Sequence, residues 1–270
     1  MFRTVLFFGF LTGILLGVGW FLGGFFGMTV ALFLSLLINF ISYWYSDKIV
    51  LTMYGAKETN DPELNKIVEN LAFQAGIPKP KVYIVPTKIP NAFATGRSPK
   101  HSSVAVTEGL LELNKDEIEG VLSHEIAHIR NHDILISTAA ATISGAISYL
   151  AQIGYYSLFF RDSREGGNLF GLLFVIIFAP LAALLVRLAI SRSFEYRADY
   201  TGAIISKKPL ALASALEKIS SITKNHPMRG SAATSHLWIV NPFKSDWFTN
   251  LFSTHPPIEE RIKRLKKMAV

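Results

Sequence analysis

The chain begins with a long apolar stretch that shows no alternation with charged residues. No charged side chain occurs in residues 4–46, and only the glycine-rich residues 23–27 interrupt the run. At about 1.5 Å per residue, and with a hydrocarbon layer about 30 Å thick, this length suits two membrane-spanning helices joined by a turn. The pattern predicts a helical hairpin. A cleaved signal peptide is the alternative, although its apolar core would be shorter and a small-residue cleavage site would follow it.

Two further apolar blocks lie in the second half of the chain. They cover residues 134–160 and 166–186, with a charged segment at residues 161–165 between them. Their length and tyrosine content favour a second membrane hairpin, in which Pro180 would kink the last span. Buried core helices of a soluble domain are the alternative. With the first hairpin, the pattern predicts about four transmembrane helices.

Between these blocks the spacing of apolar residues becomes that of a water-exposed domain. Asp61 and Pro62 start a helix, and Gly76 stops it. Asn114, followed three positions later by Glu117, starts a second helix with a capping-box pattern. Short apolar runs bounded by proline or glycine predict the strands of a small mixed sheet at residues 81–85, 91–96 and 102–107.

The C-terminal part shows two more helical patterns. Pro209 starts a helix over residues 208–222, and a short basic amphipathic helix closes the chain. Residues 223–253 are polar and aromatic without a steady period. We expect them to form a loop.

Composition supports a membrane protein and narrows the chemistry. The 270 residues are 50% hydrophobic, include no cysteine and carry a formal charge of +7. Without cysteine there is neither a disulfide framework nor a thiolate metal site, so a metal must rest on nitrogen and oxygen. Lysine and arginine occur across residues 48–130 and cluster at residues 261–267, which by the positive-inside rule places both regions in the cytoplasm. Beside a membrane, anionic lipid is a commoner partner for such a tail than nucleic acid.

The strongest chemical pattern is H-E-x-x-H at residues 124–128. His124 and His128 lie one turn apart on one helix face, so both imidazoles can reach one metal ion, and Glu125 borders the same site. A chance pattern on a solvated helix is the alternative. The flanking residues are apolar, however, and unpaired histidines on a buried helix would be costly. The pattern predicts a zinc-hydrolase centre.

Two histidines leave a tetrahedral zinc without its third protein ligand. His132 continues the same helix and lies about 12 Å from His124 along its axis, too far to share one ion. Ile134 stands where the metzincin pattern requires a histidine. Glu195 remains, which predicts two-histidine, one-glutamate ligation of one Zn²⁺ per chain. Asp199 shares its helix face with Glu195, and a solvated acidic face is the alternative interpretation of that pair.

With these residues in place, the sequence resembles the HtpX-type membrane zinc metalloproteases, relatives of CAAX prenyl proteases and Oma-type peptidases. The resemblance covers nearly the whole chain and rests on H-E-x-x-H, residues 195–199, residues 91–94 and residues 253–257, together with the four apolar spans. It implies an α+β, mainly α-helical integral membrane protein with a gluzincin-like protease domain. The implied domains are an N-terminal hairpin (1–47), the first protease part (48–133), the second hairpin (134–190) and the second protease part (191–270).

The resemblance also implies an activity. The protein would be a multi-pass cell-membrane endopeptidase that cleaves misfolded or damaged membrane proteins in quality control and stress response, with its site facing the cytoplasm. The motif histidines and Glu195 would bind zinc, and Asp199 would orient a ligand histidine. Glu125 would act as the general base. Asp133 matches a recurrent acidic position of the family, but helix geometry does not aim its side chain at the metal.

Two more sets of residues are implied as parts of the site. The edge strand along which thermolysin-like peptidases bind an extended substrate is matched by Asn91, Ala92, Phe93 and Ala94. Pairing through the main chain would give broad specificity. His255 and Arg261 have the spacing of a pattern that flanks the site in prenyl-protease relatives, and we expect them to donate to the oxyanion. The alternative is that His255 only precedes a helix and Arg261 lies on its solvated face.

Two other functions stay open at this level. A prenyl-protein processing peptidase would be expected to enclose a chamber with more spans than the four counted here. A catalytically inactive relative would use the zinc fold as a membrane scaffold. Glu125 is needed for chemistry and not for metal binding, so its presence favours an enzyme.

Overall fold

A computed structural model of the chain describes residues 2–139, 192–225, 237–240 and 256–269. The predicted second hairpin at residues 134–190 lies outside these ranges, except that residues 134–139 are helical. His255 and most of the predicted loop at residues 223–253 also lie outside them. The described helices are α1 (Phe2–Met53), α2 (Pro62–Ala75), a 3₁₀ turn (Leu110–Glu112), α3 (Lys115–Arg130), α4 (Arg192–Ser206), α5 (Pro209–Asn225) and α6 (Ile258–Lys267).

The apolar N-terminus folds as the predicted hairpin, because α1 is two helices that meet at a kink. The backbone leaves helical geometry there, with a φ of +57° at Gly24. Gly19 and Gly27 bring the two halves together, since a Cβ on either glycine would clash with the carbonyl of the other. Small residues at such a crossing allow close packing of helices that face lipid.

One described helix is long and apolar enough to cross a membrane. It covers Gly23–Tyr45, and the first half of the hairpin contains a shorter apolar stretch at Phe8–Gly17. Large side chains such as Phe33 and Phe40 are exposed along the longer helix. The structure thus gives one candidate membrane helix in the described part of the chain, and the count of four spans stays a prediction.

The sheet is mixed, as expected, and has four strands in the order β1-β2-β4-β3. β2 and β4 pair in parallel, and the other two pairs are antiparallel. The two-residue β1 is too short to show alternation in the sequence, so it was not predicted. β3 is an edge strand. The strands are β1 (Lys57–Glu58), β2 (Lys81–Val85), β3 (Ala92–Ser98) and β4 (His101–Thr107).

Helix α3 is the centre of the fold. It starts with the predicted capping box of Asn114 and Glu117, and its residues 120–127 are all buried. It packs against α2, α4, α5 and the sheet. The crossing with α4 is close, since a Cβ on Gly202 would lie 2.9 Å from the backbone nitrogen of His124. The helix that carries H-E-x-x-H is therefore held by three helices and the sheet.

Candidate metal centre

Three side chains from two helices converge beside β3. His124 and His128 project from α3 and Glu195 from α4, and one donor atom from each lies within 4.8 Å of the others. The two Nε2 atoms are 3.2 Å apart. Glu195 Oε1 lies 3.3 Å from His128 Nε2, and its Oε2 lies 3.8 Å from His124 Nε2. These separations suit one tetrahedral ion bound at about 2.0–2.2 Å, so the residues present fit zinc.

His124 is supported from behind by a buried charge pair. Its Nδ1 lies 2.9 Å from Asp199 Oδ1. Arg261 donates to both oxygens of that carboxylate, at 2.8 and 2.7 Å, and its Nη1 lies 3.3 Å from Glu195 Oε2. We name Asp199 and Arg261 together the His124 support. Burial acts to raise the pKa of Asp199, but Arg261 and His124 outweigh it and hold the pKa at about 2.

The position of Arg261 differs from both interpretations of the sequence. Its side chain is fully buried, so it does not lie on a solvated helix face, and that alternative is wrong. It also does not line the cavity over the donor atoms. Its other polar contacts are a hydrogen bond to the carbonyl of Ile239, at 3.3 Å, and the approach of Nη2 to both ring nitrogens of His124, at 3.4 Å. A donor to the oxyanion would need to face the cavity, whereas the contacts of Arg261 lie behind the ligands.

His128 has a support of the same kind at the end of its own helix. Its Nδ1 lies 3.4 Å from Asp133 Oδ2, and Arg197 Nη2 donates to Asp133 Oδ1 at 2.6 Å. We name Asp133 and Arg197 together the His128 support. In both supports the carboxylate contacts Nδ1 of the imidazole, so Nε2 of each histidine faces the metal position.

Asp133 can contact His128 because of a turn at His132, which the sequence did not predict. Helix α3 ends at Arg130, and His132 adopts a φ of +61°. The turn brings the Asp133 amide to 3.0 Å from the His128 carbonyl. The expectation that His132 continues the helix was therefore wrong, and the residue is exposed on the surface.

Glu125 lies on the cavity side of the histidines. Its Oε2 accepts a hydrogen bond from the Ala94 amide at 2.8 Å. Burial raises the pKa of Glu125 above its ordinary value, although the two histidines act in the opposite direction. A carboxylate with a raised pKa is suited to accept a proton in the neutral range. The edge strand β3 thus positions the candidate base.

The predicted substrate strand lies next to this base, but not all of it faces the cavity. Ala92, Phe93 and Ala94 belong to β3, and Phe93 and Ala94 line the cavity. Asn91 instead binds the protein itself. Its Nδ2 donates to the Leu237 carbonyl at 3.3 Å, and its Oδ1 accepts from the Ile239 amide at 2.9 Å.

The segment fixed by Asn91, residues 237–240, forms one wall of the cavity and was missed by sequence reasoning. Leu237, Trp238 and Ile239 line the cavity. Trp238 is 2% exposed, and its indole nitrogen donates to the Tyr54 hydroxyl at 3.1 Å. The sequence did contain a signal, since four apolar residues in a row interrupt an otherwise polar stretch.

Two helices that hold two histidines, a glutamate and a neighbouring carboxylate base define a metallopeptidase. The comparison with known families agrees with this class. The sequence model of peptidase family M48 matches residues 58–269, and the chain belongs to that family. The family expected from the sequence, and with it a membrane metalloprotease, is confirmed.

Individual relatives extend over almost the full chain. The chain is 56% identical to a protease HtpX homolog of Pyrococcus furiosus over 276 residues, which cover 99% of this chain and 96% of the relative. It is 50% identical to a protease HtpX homolog of a Sulfurihydrogenibium species, over 99% of this chain and 95% of the relative. For the Aquifex aeolicus homolog the identity is 49%, over 95% and 89%.

A comparison of structures finds a crystal structure of S. mikatae Ste24p. The TM-score is 0.49 at 18% sequence identity, and the match covers 86% of this chain and 57% of that chain.

Proposed function

We propose that this chain is a zinc-dependent endopeptidase that hydrolyses peptide bonds of misfolded or damaged membrane proteins, as part of quality control and the stress response. The observation that carries the proposal is the convergence of His124, His128 and Glu195 within 4.8 Å, with Glu125 beside them. One Zn²⁺ would supply Lewis acidity and an activated water at this position. Membership of family M48 and the full-length similarity to protease HtpX homologs support the same reaction class.

In this mechanism Glu125 takes the proton of the attacking water and later passes it to the leaving amine. The Ala94 amide holds one carboxylate oxygen, which leaves the other free to accept that proton. The His124 support keeps the imidazole of His124 in the orientation that presents Nε2. We propose that an extended substrate lies along β3 and pairs through its main chain, while Phe93 and Trp238 contact its side chains.

His255 lies outside the described residues, so its role as an oxyanion donor stays a prediction. The proposed membrane arrangement is four spans with both termini and the protease domain in the cytoplasm. The candidate helix Gly23–Tyr45 and the positive charge of the C-terminal tail support it. The partners would be polypeptide substrates and the lipid bilayer.

The test of the activity uses the detergent-purified full chain, with casein and a membrane protein as substrates. Wild-type protein should cleave both and should stop when a zinc chelator is added. Glu125→Gln should lose cleavage and keep zinc, whereas Glu195→Ala should lose both. His132→Ala is the control on the same segment and should keep both.

Three outcomes would contradict the assignment. If Glu125→Gln kept all function, the chain would be a scaffold and not an enzyme. If Glu195→Ala kept full zinc, the third ligand would be another residue. If the chelator had no effect, cleavage would not depend on the metal.

The membrane arrangement has its own test with reporter fusions. Fusions at about residue 25 and about residue 164 should report the outside of the cell, and a fusion after Val270 the inside, because each hairpin returns the chain to the side it started from. A fusion in the second apolar region that reported the cytoplasm would reduce the number of spans to two.

A further inference from the structure

One buried carboxylate next to the site has no part in the mechanism above. Asp133 is 6% exposed, and its two oxygens point to different partners, His128 and Arg197. Arg197 lies on α4, two residues after Glu195, so it comes from the helix that supplies the third donor. We infer that Arg197 is a positioning residue, which fixes Asp133 and through it the imidazole of His128. The inference rests on the proposed metal site.

The first step of the argument is charge. A carboxylate that is removed from water needs a counter-charge or hydrogen bonds, because an unpaired buried charge is costly. The Arg197 guanidinium lies 2.6 Å from Asp133 Oδ1. Without it, Asp133 would gain by turning out to solvent. The Oδ2 contact with His128, already long at 3.4 Å, is the contact that would be lost.

The second step is connection between elements. Asp133 follows the end of α3, and Arg197 lies within α4. The pair therefore ties together the two helices that carry His128 and Glu195. The hydrogen bond lies near the donors and not at a remote point of the helix contact. It acts on the distance between ligands as well as on the orientation of one of them.

The third step is the shape of the side chain. The guanidinium carbon of Arg197 lies 5.2 Å from the centre of the Phe194 ring, within the range of a cation–π contact. Phe194 lines the cavity. A planar guanidinium can donate to Asp133 while it lies against the ring, whereas a lysine ammonium is a point charge on a flexible stem. Lysine at this position should therefore restore the support only in part.

The experiment compares Arg197→Gln, Arg197→Lys and, as a matched control, Arg192→Gln. Arg192 is an exposed arginine on the same helix. Zinc affinity is measured by competition with a chelator, and the geometry of the site by the visible absorption spectrum of the cobalt(II) form. Arg197→Gln should bind zinc about tenfold more weakly, as is typical when a partner of a ligand histidine is lost, with an altered cobalt spectrum. Arg197→Lys should fall between this variant and wild type.

A double variant separates positioning from a general loss of stability. Asp133→Asn removes the carboxylate that Arg197 is inferred to fix, so adding Arg197→Gln to it should cost no further zinc affinity. The thermal midpoint of the metal-free forms shows whether the variants fold. If Arg197→Gln failed to fold, the comparison of Arg197→Lys with the Asp133→Asn, Arg197→Lys pair would give the same answer.

Two results would overturn the inference. The first is Arg197→Gln with wild-type zinc affinity and cobalt spectrum. The second is an equal loss of affinity from Arg197→Gln whether or not Asp133 is present. Failure of the proposed function is distinguishable, because it would appear as wild-type protein that binds zinc and cleaves nothing. Wild-type protein that bound no zinc would overturn both.

Discussion

The two histidines of the metal centre are supported by the same chemical pair in two different environments. Behind His124, Arg261 is 0% exposed and donates to both oxygens of Asp199. Behind His128, the guanidinium side chain of Arg197 is 43% exposed and makes one hydrogen bond to Asp133. The carboxylate lies 2.9 Å from Nδ1 in the first case and 3.4 Å in the second.

This difference indicates which support the metal site needs in order to form and which support only changes its zinc affinity. In the buried interior, charges interact strongly and an unpaired one is costly, so breaking the His124 support should destabilise the site strongly. The side chain of Arg197 is partly exposed, so water and salt weaken its interaction with Asp133 and breaking that pair costs less. We expect the His124 support to determine whether the metal site exists and the His128 support to modify its affinity.

The largest expected effect comes from Arg261→Met. Removing the guanidinium leaves Asp199 and Glu195 buried without their counter-charge, which typically destabilises a protein by about 3–5 kcal/mol. Zinc content should fall together with the thermal midpoint, both measured on detergent-purified protein. Lys263→Met, an exposed change on the same helix, should leave both unchanged. If Arg261 were instead a donor to the oxyanion, kcat would fall while zinc content and stability remained normal.

The next effect compares the two carboxylates directly. Asparagine keeps the shape of each carboxylate and removes its charge. Loss of such a partner typically weakens metal affinity or activity by about 10- to 100-fold. Asp199→Asn should lie at the upper end of that range and Asp133→Asn at the lower end, measured as zinc dissociation constants. Equal losses would mean that burial does not distinguish the two supports.

A smaller effect concerns protons. Burial acts to lower the pKa of His128, but Asp133 and Glu195 outweigh it and raise the pKa to about 10 without metal. Because the folded value lies above the ordinary 6.5, this group stabilises metal-free protein fully below that pH and loses its contribution as the pH rises towards about 10. The thermal midpoint of chelator-treated protein should fall across this window. It should fall less in Asp133→Asn, and a flat profile in wild type would contradict the prediction.

The same proton should appear in zinc binding. A ligand histidine must be neutral, so zinc uptake near neutral pH should release a proton from His128. Calorimetry in buffers of different ionisation enthalpy measures the number released. Uptake without proton release would show that His128 is already neutral in the metal-free protein.

The smallest effect is that of salt. Raising the salt concentration from about 0.05 to about 0.5 M screens exposed charges much more than buried ones. Zinc affinity of wild type should weaken by about twofold, the size expected for an exposed pair. Arg197→Gln should lose this dependence, whereas Arg192→Gln should keep it. An equal salt dependence in all three proteins would assign the effect to other charges.

Sequence alone gave the elements whose signals lie within a few residues of one another. The capping box of Asn114 and Glu117 and the strand at residues 81–85 appear where their patterns predict them. The cap and the strand are local patterns, so a single sequence displays them. The pairing of H-E-x-x-H with Glu195 is not local, and it was expected because His132 was too far along the helix and Ile134 breaks the metzincin pattern.

The supports of the site were harder to predict, because they depend on contacts that are distant in sequence or on one unusual backbone angle. Arg261 reaches Asp199 across 62 positions, whereas the sequence suggested an oxyanion donor or, as the alternative, a residue on a solvated helix face. Asp133 reaches His128 only because His132, which is not a glycine, adopts a positive φ. Arg197 lies between two carboxylates that share a different face of α4, and nothing in its sequence position pointed to Asp133.

The close crossing at Gly202 has a consequence for how much variation the metal centre tolerates. A zinc site requires donor distances within about 0.2 Å of their preferred values. A single methyl group at residue 202 would meet backbone atoms of His124 and Ser123 at 2.9 to 3.0 Å, so one of the two helices would have to move. That movement would carry Glu195 away from the histidines by a distance comparable to the tolerance of about 0.2 Å in the donor distances. The precision of the donor geometry thus depends on the absence of a side chain at Gly202, a residue outside the metal site.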